Sequence, residues 1–297
     1  MIDDETEFFC EGTKLDASFY LPDSGEGDDD KPLVIPCSGF MGLKDIHPER
    51  FARFFTPEGY PCFGFDYRTF GKSDGEPGHV LLESEVRDMV QAAAFANAHP
   101  EHGGRDIVIL GWGMGGGLIL EAAKLIPNVT GLICVNGFYD AERVQREVRT
   151  EEDWESFQEW FHQTATETAR NGDIPMVDPF KIYPLDPVTQ EYVDGELRKN
   201  PRFGGEVWFP FAESLLQFRP EADLDHLDST RLLIVHGGDN RLHPPQEAES
   251  LYAKYPGPKQ LHWVPQAGHT EWMLDDDPTF QSVVETMLDW MENIDDG

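Results

Sequence analysis

A chain of 297 residues, 39% of them hydrophobic, is long enough to bury a large core as one α/β domain or as two smaller ones. Its formal charge is −33, from 56 acidic against 23 basic residues spread from Asp3 to Asp296. A field of that sign argues against nucleic acid and membrane as partners, and fits a protein adapted to high salt. No run nears the ~20 apolar residues of a membrane span. The start, Met1-Ile2-Asp3-Asp4-Glu5, lacks the basic and apolar regions of a secretory signal, so a cytoplasmic setting is expected.

In chain order, alternating segments at 6–10 and 15–20 predict an opening hairpin. Asp28-Asp29-Asp30 reads as a solvated loop. Leu33 to Pro36 reads as a buried strand that ends in the loop Cys37-Ser38-Gly39-Phe40-Met41-Gly42. A helix near 46–56, a strand at 61–66 and a helix within 80–98 follow, the last from its apolar spacing. A strand at 106–110, a glycine turn, a helix to about 126 and a strand at 129–135 come next. The alternation resumes with strand 231–236, helix 245–255, strand 260–264 and helix 278–293. Strands alternating with helices predict a doubly wound, mostly parallel α/β sheet.

The segment 139–222 breaks this rhythm. It carries an acidic helix with Trp154, Phe157, Trp160 and Phe161 on one face, then a proline-rich stretch. It reads as an inserted helical cap over the carboxyl edge of the sheet, where α/β folds place ligands. The core is then 1–138 and 223–297, and the aromatic stripe reads as cap packing. Cys10, Cys37, Cys62 and Cys134 have no metal-binding or redox spacing, and the last three, in or beside apolar runs, read as buried core residues. No metal-ligand spacing or dinucleotide fingerprint appears, so neither metal nor cofactor is expected.

The chemistry is concentrated at Gly111-Trp112-Gly113-Met114-Gly115, a strand–turn–helix junction. This is the setting of the G-x-S-x-G nucleophile elbow, with glycine where the serine belongs. Two later strands end in Asp239 and in His269, which gives the order elbow, acid, base. His269 is the expected base and Asp239 its orienting acid. The N–H groups of Met114 and Phe40 are the candidate oxyanion donors, with Ser38 and Trp112 as further candidates for contact with the oxyanion or the substrate. Cys37 and Ser38 lie near enough to be weighed as substitute nucleophiles, and read better as small strand-end residues. Asp140 is an alternative acid, and His47 and His79 read as loop residues at the carboxyl edge, at the surface or lining the substrate site, with the surface reading favoured.

These segments resemble the α/β-hydrolase superfamily, in particular its capped FrsA-like and polyketide-transferase-like branch. The resemblance rests on Ser38-Gly39-Phe40, on Phe65-Asp66-Tyr67-Arg68-Thr69-Phe70-Gly71-Lys72-Ser73-Asp74-Gly75-Glu76-Pro77 and on the elbow. Asp178-Pro179-Phe180, Gly237-Gly238-Asp239 and Gly268-His269 complete it. It implies an α/β-hydrolase fold and a small-molecule carbonyl or acyl substrate. Two departures stand out: Gly113 at the nucleophile, and Ser38 where His-Gly is usual.

Three functions are compatible with this pattern. The first is an enzyme that uses His269, Asp239 and the backbone donors on a carbonyl without a serine, by water activation, ester or C–C hydrolysis, or lyase chemistry. The second is a serine esterase or thioesterase whose nucleophile is replaced by glycine in this chain. The third is a ligand-binding protein on a hydrolase scaffold. A homodimer through the cap or an edge strand is left open.

Overall fold

The computed structural model describes residues 1–23, 30–40, 42–200 and 203–294. Asp28, Asp29 and Met41 of the loops read above lie outside them. The first half of the chain folds as β1 (Ile2–Cys10), β2 (Thr13–Leu21), β3 (Leu33–Cys37), α1 (His47–Phe55), β4 (Cys62–Phe65), α2 (Leu82–Asn97), β5 (Ile107–Trp112), α3 (Met114–Ala123) and β6 (Val129–Val135). The middle contains α4 (Ala141–Glu147), α5 (Glu151–Asn171), β7 (Met176–Val177), α6 (Pro179–Ile182), α7 (Pro187–Gly195), β8 (Val207–Trp208) and α8 (Pro210–Gln217). The chain ends in β9 (Arg231–Gly237), α9 (Pro245–Lys254), β10 (Lys259–Val264) and α10 (Pro278–Glu292).

Eight strands form one sheet in the order β1-β2-β4-β3-β5-β6-β9-β10. β1 and β2 are antiparallel, as are β2 and β4, and every later pairing is parallel. The expected doubly wound, mostly parallel sheet is therefore present. Its central strands explain why their sequences do not alternate: all six residues of β5 and all five of β3 are buried, because helices cover both faces. α2 and α3 pack together on one face, whereas α1 and α10 meet on the other.

Parallel strands direct their carboxyl ends to one edge. There β3 delivers Ser38-Gly39-Phe40, β5 delivers Trp112-Gly113, and β9 and β10 deliver the loops that carry Asn240 and His269. The segment between β6 and β9 lies above this edge. We propose that 139–222 is a cap inserted into a core made of 1–138 and 223–297. α5 is capped by Thr150, whose hydroxyl accepts from Asp153 N–H, and it stops at Gly172 in the left-handed region. Its aromatic stripe packs inward: Trp160 and Phe161 lie 5.7 and 5.4 Å from Phe209.

The opposite side of α5 exposes Glu151, Glu152, Asp153, Glu155 and Glu159, a sample of the acidic surface. Self-repulsion of such charge opposes compaction until salt screens it. We propose that the protein gains stability with salt. Its thermal midpoint should rise as KCl goes from about 0.1 M to about 1 M, where the screening length shortens from about 10 Å to about 3 Å. A midpoint that stays constant or falls would show that the acidic surface is not tuned to salt.

Candidate active site

β5 ends in the elbow. Gly113 has φ +56° and ψ −122°, a conformation that side chains rarely adopt and that nucleophile elbows require. Its N–H donates to Val135 C=O at 2.8 Å, and Gly116 N–H closes the turn onto Gly113 C=O at 3.0 Å. The turn is thus built as if to hold a side chain it lacks. A Cβ added at Gly113 would sit 3.4 Å from His269 Nε2, in ordinary contact, so a serine oxygen there would be within hydrogen-bond reach of the imidazole.

The oxyanion loop comes close because Gly39 has no side chain. A Cβ at that position would lie 2.8 Å from Trp112 C=O and 3.5 Å from Met114 N. Neither Met114 N–H nor Phe40 N–H has a hydrogen-bond acceptor among the described residues. Met114 opens α3, so its N–H also carries the positive end of that helix. Ser38 is different. It is buried behind the loop, with its hydroxyl donating to Leu43 C=O at 3.1 Å and its carbonyl accepting from Tyr67 Oη at 3.2 Å. The expectation that Ser38 touches substrate is corrected: its side chain braces the loop.

His269 is 6% exposed and fixed from several directions. Its carbonyl accepts from Asn136 Nδ2 at 2.8 Å, and Trp112 and His243 flank its ring at 5.6 and 4.6 Å. Burial, with smaller contributions from His236 and His47, holds its pKa down to about 3.

The expected acid is not the partner of this histidine. Asp239 is exposed, and its backbone N–H is tied to Ala267 C=O at 2.9 Å. The next residue, Asn240, is 2% exposed and sets its Nδ2 3.2 Å from His269 Nδ1. An amide occupies the acid's place. Asp140 serves elsewhere, capping α4 through Arg143 N–H and pairing with Arg219 at 3.5 Å. Cys37 is fully buried, and burial pushes its thiol far above the range in which a thiolate could attack.

Sequence reasoning missed several residues. Of the two readings of His47, the structure favours the substrate-lining one over the surface one. His47 is buried, stacked on Trp112 at 5.3 Å with Nε2 3.2 Å from the Tyr192 hydroxyl, and burial holds its pKa down to about 3. His79 is half-buried against Trp208 at 5.5 Å. His243 donates from Nδ1 to Asn136 C=O at 2.5 Å and bonds Tyr183 Oη through Nε2, which ties the segment above the sheet to the core. Asn136, at φ +49°, is the common anchor, since its Oδ1 also accepts from Gly237 N–H at 2.8 Å.

Above Gly113 and His269 the cavity closes to about 50 Å³, room for a few water molecules or a small acyl group. Phe40, Phe180, Tyr183, Tyr192, Phe203 and Leu242 form most of its walls. No lysine, arginine, aspartate or glutamate lines it among the described residues. Nor is any group of three or more His, Cys, Asp or Glu among them placed to hold a metal ion. No described helix is long and apolar enough to cross a membrane.

Comparison with known proteins agrees with this architecture. Residues 29–276 match the family described as Serine aminopeptidase, S33. An uncharacterised 31.7 kDa protein of the traX-finO intergenic region in Escherichia coli is 24% identical over 90% of this chain and 92% of its own. The polyketide transferase ATR5 of Stachybotrys chlorohalonatus is 23% identical over 89% of each chain. The crystal structure of the α/β hydrolase GrgF from Penicillium superposes with a TM-score of 0.79 at 18% identity, over 99% of both chains. With the sheet order, the elbow and the loop histidine already in place, these matches identify the chain as a hydrolase-type enzyme of the serine aminopeptidase S33 family with the α/β-hydrolase fold.

Proposed function

We propose that this protein acts on the carbonyl group of a compact, uncharged, largely apolar molecule without forming an acyl-enzyme. One observation carries the reading: an elbow with the nucleophile's backbone geometry, facing His269, with space where the serine oxygen would be. A carbonyl oxygen can occupy that space, and a water molecule from the adjoining cavity can add to its carbon. The new C–O bond then forms as the carbonyl oxygen takes the electron pair. Collapse breaks the bond to an alkoxy, thiol or carbon leaving group, which departs with the proton of the water. The N–H groups of Met114 and Phe40 stabilise the charged oxygen, the part of hydrolase catalysis that outlasts loss of the nucleophile.

The uncharged walls support a neutral substrate, because a buried carboxylate or phosphate on the substrate body would have no counter-ion. Asn240 weakens the reading of a serine hydrolase merely disarmed by glycine, since such a protein would keep its acid. The same pair of changes favours one alternative, a binding protein that retains affinity without turnover.

The test is a rate panel of small esters, thioesters and 1,3-diketones, run with intact-mass spectra of the protein during turnover. Product from one of these classes, with no acyl mass on the protein, is expected. A protein-bound acyl group would overturn the non-covalent reading. Saturable binding with no product from any class would select the binding protein.

A further inference from the structure

Asn240 has an orientation that decides what His269 can do. Its Oδ1 accepts from the backbone N–H groups of Leu242 at 3.1 Å and His243 at 3.0 Å. Rotating the amide would set its NH₂ against those two donors, so the oxygen stays where it is. Nδ2 is thereby held 3.2 Å from His269 Nδ1.

An amide NH₂ can only donate. Nδ1 must then supply a lone pair, and a neutral imidazole with its acceptor on Nδ1 carries its proton on Nε2. Nε2 is the nitrogen that faces Gly113. A carboxylate at 240 would do the opposite, accepting Nδ1–H and leaving Nε2 as the base.

We infer that Asn240 is a positioning residue that fixes His269 as an Nε2–H donor, so that His269 joins Met114 N–H and Phe40 N–H in binding a single oxygen, that of a ketone, an ester or an enolate. The histidine of this site polarises its ligand and removes no proton. Neutral imidazole acting as an electrophile is a known catalytic device. Burial of His269, which disfavours the cation, agrees with that role. Among the described residues, the neighbouring histidines are otherwise engaged: His243 at both nitrogens, and His47 through Nε2 at Tyr192.

This inference deepens the proposed function and rests on the same pocket, but its test reads the resting protein and needs no substrate. In ¹⁵N-histidine-labelled protein at neutral pH, long-range ¹H–¹⁵N correlation should show His269 with bare Nδ1 and protonated Nε2. The His269 signals are assigned by their loss in His269→Gln. In Asn240→Asp the pattern should reverse, with the proton on Nδ1 and the apparent pKa raised. A proton on Nδ1 in the parent chain would overturn the inference, whether or not the variant folds. An empty rate panel would leave this result standing, and the reverse pattern would leave the panel standing.

Discussion

Gly113→Ser combined with Asn240→Asp should hydrolyse activated acyl esters and thioesters about 10⁴-fold faster than Gly113→Ser alone, the factor by which an amide in place of the acid disables a serine triad. Space is available for the new side chain, since a Cβ at 113 makes only ordinary contact with His269. The positive φ costs about 1–3 kcal/mol, a strain that elbows sustain because the surrounding structure holds them. Serine alone faces a nitrogen that already carries a proton, so it gains little. Asn240→Asp alone adds no attacking atom. In the pair, the carboxylate introduced at position 240 can accept from the same two backbone N–H groups and from His269 Nδ1–H, which frees Nε2 to take the serine proton. The effect is strongly non-additive, as expected for residues that act as one unit. Steady-state rates of the four proteins on a p-nitrophenyl ester would measure it. If Gly113→Ser matched the double variant, Asn240 would not be controlling the tautomer.

Loss of the imidazole is the second large effect. His269→Ala should lower kcat/KM of the parent reaction by about 10²–10³, the usual consequence of removing one oxyanion donor. His269→Gln, which still presents an N–H, should stay within about tenfold of the parent, because a donor and not a base is required. The pH profile follows from burial. With its pKa lowered to about 3, His269 is neutral above roughly pH 4 and becomes charged only below it. The rate should therefore show no inflection near 6.5, the ordinary histidine value. A glutamine variant as inactive as the alanine variant would return His269 to the role of base.

Much of this architecture is legible before any coordinates. Ile107 to Leu118 announces the elbow because a buried apolar run changes abruptly to glycine and then to helix. His269 is identifiable for a related reason, since it follows Gly268 in the loop after the last strand, β10. Asp239 and Asn240 show where such reading stops. They are adjacent small polar residues in one turn, and which of them turns inward depends on Asp239 N–H reaching Ala267 C=O, a contact between distant segments. His47 misleads in the same way: it begins a helix after a loop, and it is buried only because Trp112 and Tyr192 close over it. Of the pocket walls from α6 and α7, only Phe180 belongs to a recognisable segment, Asp178-Pro179-Phe180. Tyr183 and Tyr192 are drawn into the site by bonds to His243, His47 and Arg50.

The central claim is that the space beside Gly113 takes a neutral carbonyl by its oxygen. Titration of ¹⁵N-labelled protein with 2-butanone tests this most directly, with the Met114 and Phe40 amides and the His269 Nε2–H followed by NMR. All three protons should move downfield together and saturate at one affinity, and His269→Ala should weaken that affinity. If 2-butanone left these three signals unmoved while the protein remained folded, the pocket would not be a carbonyl site.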